Sequence, residues 1–309
     1  VMLSTIIIFY ISRYDSWFEI FNLFNFYFFG FEGGDGSTYL DFTSIIYQSF
    51  LNNNFTDFFK GGENVFYFTP GLRYFLFINQ IISGDYYYLY FFFLFFLPKV
   101  FHNFLETQFS PKISYFIMIS FLLIPIFHHL GFSYYQYIRH AYRLFPESIG
   151  YMFFLAALTM FLKNFEKDYL KMNLLFAISV FFRPNLVISI FAIVLTKTII
   201  ERVNIFKVKY FIILLLISLI YLFPLLHNVY FGNSFTLFTS YGSKILSIEN
   251  ILSKDISFYQ QRLISINLAF LFLIFMFKTN NYLKIILISQ YITIFWFDVN
   301  GRYYWIFWL

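Results

Sequence analysis

The stretch YFFFLFFLP at residues 90–98 places eight apolar or aromatic side chains in a row before its proline. It lies within a longer apolar segment, about 86–101, that approaches the roughly 20 residues a helix needs to cross a bilayer. Similar segments recur along the chain, at about 1–12, 113–127, 147–163, 170–182, 185–200, 208–226, 263–277 and 283–297. The pattern predicts an all-α polytopic membrane protein with about nine transmembrane helices.

The composition favours the same class and excludes several others. Of the 309 residues, 60% are hydrophobic and 12% are charged, whereas soluble domains have about 45–50% apolar and about 25% charged residues. There is no cysteine, which excludes disulfides, thiolate catalysis and cysteine-bound metals. The net charge of +5 is spread out without a basic run, so no nucleic-acid partner is expected.

The chain is expected to form one transmembrane domain over residues 1–309. It begins with Val1 and ends in the apolar run RYYWIFWL, so we expect a fragment that is truncated at one or both ends. Short lysine-rich loops are assigned to the cytoplasm. The first extracytoplasmic loop, 13–85, contains a short apolar segment at 70–83 with three polar residues, which predicts an interfacial helix. The expected location is integral to a bacterial inner (plasma) membrane, in contact with membrane lipids, with an extracytoplasmic active site.

Among the arginines assigned to the outer side of the membrane, four are expected at its outer interface. Arg139 and Arg143 are four residues apart in YIRHAYRLFPE, so one helical face would present both. Arg183 follows an apolar segment in FFRPN, and Arg302 lies in NGRYY near the end of the chain. The planar guanidinium can bind phosphate through two hydrogen bonds, which favours a lipid-phosphate site. Alternatively, each arginine anchors a helix end at the interface.

An acidic, glycine-rich stretch, GFEGGDGSTYLDF at residues 30–42, follows the first apolar segments. Asp35 lies between two glycines, which allow a sharp bend that would expose its carboxylate. The following residues predict a helix that begins on a Ser or Thr N-cap. A carboxylate held there suits a general base or a metal ligand, and the alternative is a solvated turn. Glu32 and Asp41 are expected to support Asp35 or to be solvated.

Few other residues indicate metal chemistry. His128 and His129 are adjacent, a spacing that rarely chelates one ion, and no convincing ligand set for a divalent cation is present. The cofactor is therefore unknown, and no metal ligand is assigned. Glu147 follows Pro146 in FPESIG and predicts an acidic residue at a helix N-terminus.

Several motifs in order resemble one family of enzymes. DGSTY at 35–39 is followed by NVFYFTPGLRYFLFINQIISGD at 64–85, by FRPN at 182–185, by NVYFGNSFTLFT at 228–239 and by GRYY at 301–304. In this order and architecture the chain resembles the GT-C superfamily of polyprenyl-phosphate-sugar-dependent glycosyltransferases, which includes protein mannosyltransferases and the aminoarabinose transferase of lipid A. The chain differs from the protein mannosyltransferases because Asp35 is followed by Gly rather than Glu.

The resemblance implies an inverting glycosyltransferase of the cell envelope. Its donor would be a polyprenyl-phosphate-linked sugar, and its acceptor a hydroxyl of a lipid, glycan or protein. It implies Asp35 as the catalytic base that activates the acceptor. The implied substrate-binding residues are Arg302, Arg183, Arg139, Arg143, Tyr39, Tyr303 and Asp41, of which the arginines would hold the donor phosphate.

Two other functions remain compatible with the sequence. A surface-polysaccharide polymerase or ligase would use arginine and histidine in late outer loops, and His227 lies at the edge of the expected loop 227–262. A transporter of lipid-linked glycans would place charged residues at the centres of its spans, where this chain has almost none.

Overall fold

The computed structural model describes residues 34–84, 88–123, 134, 137, 141, 144–184, 186–200, 208–235 and 280–296. Every regular element in these ranges is an α-helix. The helices are α1 Gly34–Leu51, α2 Phe55–Lys60, α3 Pro70–Ser83, α4 Tyr88–Phe95, α5 Leu97–Leu105, α6 Pro111–Leu123, α7 Glu147–Asn164, α8 Tyr169–Phe182, α9 Leu186–Ile200, α10 Val208–Gly232 and α11 Asn281–Trp296.

The first three helices form a compact unit that contacts α8 and α10. α1 packs on α3 through a buried face that contains Tyr39, Thr43 and Ile46. The side chain of Asn54 caps α2, because its Oδ1 accepts a hydrogen bond from the Asp57 amide at 3.2 Å. Gly61 follows the last residue of α2 and caps the helix, and its φ of +61° lies in the left-handed region that glycine adopts without strain.

A helical hairpin of α7 and α8 forms the centre of the described fold. α7 contacts α4 and α5, while α8 contacts α3, α9 and α10. Buried aromatic side chains such as Phe154 and Phe176 fill the space between the two helices, with ring centroids 5.7 Å apart. The core therefore joins this hairpin to helices that precede and follow it in the chain.

The last helix that the structure describes, α11, packs against α9. Their contact contains a buried hydrogen bond of 2.7 Å between the hydroxyls of Ser189 and Ser289. Near it, the Lys197 ammonium lies 5.0 Å from the ring of Phe161 and 5.3 Å from that of Tyr282. These cation–π contacts tie α9 to α7 and α11 and keep the lysine buried among aromatic rings.

Two glycines permit close contact around the C-terminal end of α8. A Cβ atom at Gly71 would lie 2.7 Å from the Phe181 carbonyl oxygen, and one at Gly150 would lie 2.9 Å from the Arg183 Cγ. These separations are too short for any side chain larger than hydrogen. The starts of α3 and α7 therefore approach the end of α8 directly.

The predicted fold class of about nine transmembrane helices is wrong. Within the part of the chain that the structure describes, no helix combines the length and the apolar character that crossing a membrane requires. One reason is that the apolar runs are divided between helices. Within residues 90–98, α4 ends at Phe95 and α5 begins at Leu97, with Pro98 in the first turn of α5. A helix of 16 residues such as α11 is about 24 Å long, less than the roughly 30 Å of a hydrocarbon core.

The same finding contradicts the expected location as an integral membrane protein. The expected spans at 1–12 and 263–277 lie outside the described residues. The segment 70–83, expected to be an interfacial helix, is the helix α3, and its side chains Arg73 and Asn79 are buried in protein contacts.

Two local predictions are also wrong. α1 begins at Gly34, so Ser37 and Thr38 lie inside the helix rather than capping it. Packing of α1 on α3 outweighs the cost of two glycines in the first turn, about 1 kcal/mol each relative to alanine. His227 lies within α10, not at the start of a loop, and it is buried.

Candidate functional site

Four helix segments place polar and charged residues around one buried region. α1 contributes Tyr39, the start of α3 contributes Arg73, the first residue of α7 is Glu147, and Arg183 caps the end of α8. All four side chains are buried. We refer to these four residues as the buried polar cluster.

Glu147 and Arg183 form the ion pair of this cluster. Glu147 Oε1 lies 3.3 Å from Arg183 Nη1, and both side chains are almost fully buried. Each charge also suits its helix end, since an acid is favoured at a helix N-terminus and a base at a C-terminus. The prediction that Glu147 begins a helix after Pro146 is confirmed. Arg183, expected to bind phosphate, thus has a carboxylate partner inside the protein.

Tyr39 joins α1 to this region through its phenol. Its hydroxyl lies 2.9 Å from the Thr69 Oγ1, immediately before α3. Burial raises the pKa of Tyr39 well above its ordinary value, while the Thr69 hydrogen bond and the Arg73 charge act in the opposite direction. The charges of Glu147 and Arg183 also act on this pKa, Glu147 raising it and Arg183 lowering it. The phenol therefore stays protonated and can serve as a hydrogen-bond donor.

Arg73 holds the segment between α2 and α3 in place. Its guanidinium donates to the Gly61 carbonyl at 2.6 Å, to the Phe68 carbonyl at 2.7 Å and to Glu63 Oε2 at 2.5 Å. It also lies 4.1 Å from the centroid of the Phe42 ring on α1. A fully buried arginine with these partners is an internal cross-link, because its charge is compensated within the protein.

A second group of contacts joins this segment to α10. The ring of Phe66 stacks on that of His227, with centroids 3.6 Å apart. The Phe66 amide donates to Asn228 Oδ1 at 2.8 Å, which fixes the orientation of that amide side chain. His227 Nδ1 lies 3.1 Å from the same Oδ1, and its Nε2 lies 2.9 Å from the Lys60 carbonyl oxygen.

The two hydrogen-bonding nitrogens of His227 thus both face oxygen acceptors. Burial lowers the pKa of His227 below its ordinary value, and the Arg73 charge acts in the same direction. The contacts with the Lys60 carbonyl and Asn228, together with the charge of Glu63, act to raise it. The net direction favours the neutral ring at neutral pH, with one of its two nitrogens protonated.

The structure places only some of the predicted site residues. Asp35 lies in the first turn of α1, four positions before Tyr39, and Asp41 is exposed on the same helix. Tyr39 and Arg183 are buried in the cluster described above. The predictions for Arg139, Arg143, Arg302 and Tyr303 lie outside the described residues. Within the described ranges no group of three or more His, Cys, Asp or Glu side chains could hold a metal ion.

Sequence reasoning missed the role of Arg73. Arg73 is one of the three polar residues of the segment 70–83, for which an interfacial helix was expected. A signal was present, because an arginine inside an apolar helix needs a compensating acid, and Glu63 lies ten residues before it in a segment that begins with two glycines. His227 gave no such signal, since its partners Lys60 and Phe66 are more than 160 residues away.

Comparisons with protein-family models, with curated proteins and with solved structures give no match to this chain. The resemblance to the GT-C superfamily therefore stays a prediction from short motifs. Chemically, the cluster offers a buried arginine at a helix end, a phenol donor and a carboxylate, beside the helix turn that contains Asp35.

Proposed function

We propose that the protein is a glycosyltransferase that moves a sugar from a polyprenyl-phosphate donor to an acceptor hydroxyl. The observation that carries the proposal is the position of Tyr39. Asp35 precedes Tyr39 by about one turn in the sequence of α1. Tyr39 is close enough to Arg183 and Glu147 for both charges to act on its pKa. This electrostatic coupling supports a shared site for α1 and Arg183.

In the proposed reaction Asp35 is the general base. It accepts the proton of the acceptor hydroxyl while that oxygen attacks the anomeric carbon of the donor sugar. The bond between the anomeric carbon and the phosphate oxygen breaks, and polyprenyl phosphate leaves with the electron pair. A single displacement of this kind inverts the configuration of the anomeric carbon.

Arg183 stabilises the leaving phosphate in this proposal. Negative charge develops on the phosphate oxygen as the bond breaks, and a buried guanidinium stabilises such charge strongly because water is excluded. Glu147 holds the guanidinium in place at the end of α8. It thereby restricts Arg183 to one orientation and reduces its net charge before the donor binds.

The test uses the full chain purified in a mild detergent, with a radiolabelled hexose on polyprenyl phosphate and a panel of lipid, glycan and peptide acceptors. Asp35→Asn is expected to lower the transfer rate by about 10²–10⁴-fold, the usual contribution of a general base. The matched control is Glu166→Gln, which removes an exposed carboxylate beyond the far end of α7. Circular dichroism confirms that both variants fold.

Two results would overturn the proposal. The first is transfer by Asp35→Asn at the rate of the unmodified protein, which would remove the assigned base. The second is transfer from nucleotide sugars but not from the polyprenyl-phosphate donor, which would remove the assigned donor class. An increase in KM for the donor in Arg183→Lys, with the fold intact, would support the phosphate contact.

A further inference from the structure

A pocket of about 310 Å³ lies between α1 and α2, outside the buried polar cluster. Ser44 and Gln48 line it from α1, Asn52 lines it from just beyond the end of that helix, and Asn54 and Asp57 line it from the start of α2. These five side chains are exposed to solvent. The volume is at the lower end of the range of about 300–1,000 Å³ found for ligand pockets.

The pocket lies on a different face of α1 from the cluster. Ser44, Gln48 and Asn52 follow one another at intervals of four residues, so they form a stripe along one side of the chain. Tyr39 and Thr43 point to the other side, where they are buried against α3 and its neighbours. A ligand in the pocket would therefore not occupy the region that contains Arg183.

The chemistry of the lining excludes most classes of ligand. No lysine, arginine or histidine lines the pocket, and Asp57 supplies a negative charge, so an anion is disfavoured. Asp57 is also the only titratable side chain in the lining, which is too few for a metal site. Ile45 is the only apolar residue of the lining, so an apolar ligand would gain little from entering.

What the lining does offer is neutral hydrogen bonding. Three of its side chains are amides, and each amide supplies two N–H donors and one carbonyl acceptor. Asn54 and Asp57 are fixed relative to each other, because Asn54 Nδ2 donates to Asp57 Oδ2 at 2.7 Å. Within the described ranges, the side chains of Ser44, Gln48 and Asn52 make no hydrogen bond to the protein. They are available to a ligand whose groups both donate and accept.

We infer that this pocket binds a neutral saccharide, whose adjacent hydroxyl groups pair with the amides of Gln48, Asn52 and Asn54. The volume suits one or two sugar units, and the exposure of the lining residues allows a longer chain to continue into solvent. The inference does not depend on the proposed transfer reaction, because it rests on the lining of a separate face of α1.

The test measures binding directly, by isothermal titration calorimetry in the absence of any sugar donor. The full chain is titrated with maltotriose, cellotriose, chitotriose and a mannotriose. At least one of these is expected to bind with a millimolar dissociation constant. Gln48→Ala and Asn52→Ala should each weaken binding by about three- to tenfold, the value of one hydrogen bond. Asn164→Ala is the matched control, since it removes an exposed amide at the end of α7.

The inference is overturned if none of the four oligosaccharides binds at concentrations up to about 10 mM. It is also overturned if binding persists unchanged in the double variant Gln48→Ala/Asn52→Ala, or if inorganic phosphate competes with the saccharide for the pocket. Transfer activity is measured separately. Saccharide binding without any sugar transfer would count against the proposed function alone, and transfer without binding would count against the pocket alone.

Discussion

Replacing Arg73 by methionine tests whether this buried cation supports the fold. Methionine keeps an unbranched stem of similar length but removes the guanidinium. The change deletes the ion pair with Glu63 and the hydrogen bonds to the Gly61 and Phe68 carbonyls. Arg73 is fully buried, so water cannot replace these contacts without opening the segment between α2 and α3.

The expected loss in the free energy of unfolding is about 3–5 kcal/mol, the usual effect of removing one partner of a buried ion pair. That is a large part of the 5–15 kcal/mol by which a domain is typically stable. Adding Glu63→Gln should recover part of the loss, because the double variant no longer contains a carboxylate whose arginine partner has been removed. The recovery should be incomplete, since two carbonyls still lose their donor.

The assay is equilibrium unfolding monitored by circular dichroism. Urea is the denaturant because it leaves the ionic strength unchanged. Lys112→Met is the matched control, because Lys112 is exposed at the start of α6, and it should change stability by less than about 0.5 kcal/mol. A loss below about 1 kcal/mol for Arg73→Met would refute the argument that Arg73 is a structural cross-link. So would equal losses for Arg73→Met and the control.

Two further outcomes are expected from the same reasoning. Glu147→Gln should lower the free energy of unfolding by about 3–5 kcal/mol, because it removes the carboxylate that forms an ion pair with the buried Arg183, whereas Glu166→Gln should have little effect. Equal urea midpoints of unfolding for Glu147→Gln and Glu166→Gln would contradict this expectation. Because the folded-state pKa of His227 is lowered, its contribution to stability should be present above the unfolded value of about 6.5 and be lost as pH falls through the folded value. The free energy of unfolding in urea should therefore fall more steeply between pH 7.5 and 5 for the unmodified protein than for His227→Gln. Parallel curves of this free energy against pH would exclude a role of His227.

The sequence predicted the positions of several helices well. The apolar segments at 147–163 and 185–200 correspond to α7 Glu147–Asn164 and α9 Leu186–Ile200. Apolar composition together with a preceding Pro146 or Pro184 is local information, and helix limits depend largely on such local features. The same composition did not show where the apolar runs divide into separate helices, and for that reason the transmembrane prediction failed.

The candidate site was only partly accessible from sequence. Arg183 was recognised from the Arg-Pro pair, but its contact with Glu147 depends on the hairpin that brings the end of α8 to the start of α7. Tyr39 was assigned from a motif, whereas its bond to Thr69 depends on the packing of α1 against α3. Contacts of this type join distant residues, and no periodic pattern in one segment encodes them.

The hydrogen bond between the Phe66 amide and Asn228 has a consequence for synthesis on the ribosome. The two residues are 162 positions apart. At about 5–20 residues per second, roughly 8–30 seconds pass between the appearance of one and that of the other. Throughout that delay the nascent segment around Phe66 lacks His227 and Asn228, so its aromatic side chain remains accessible to chaperones. A slower decoding rate between these positions would lengthen the exposure without changing the final structure.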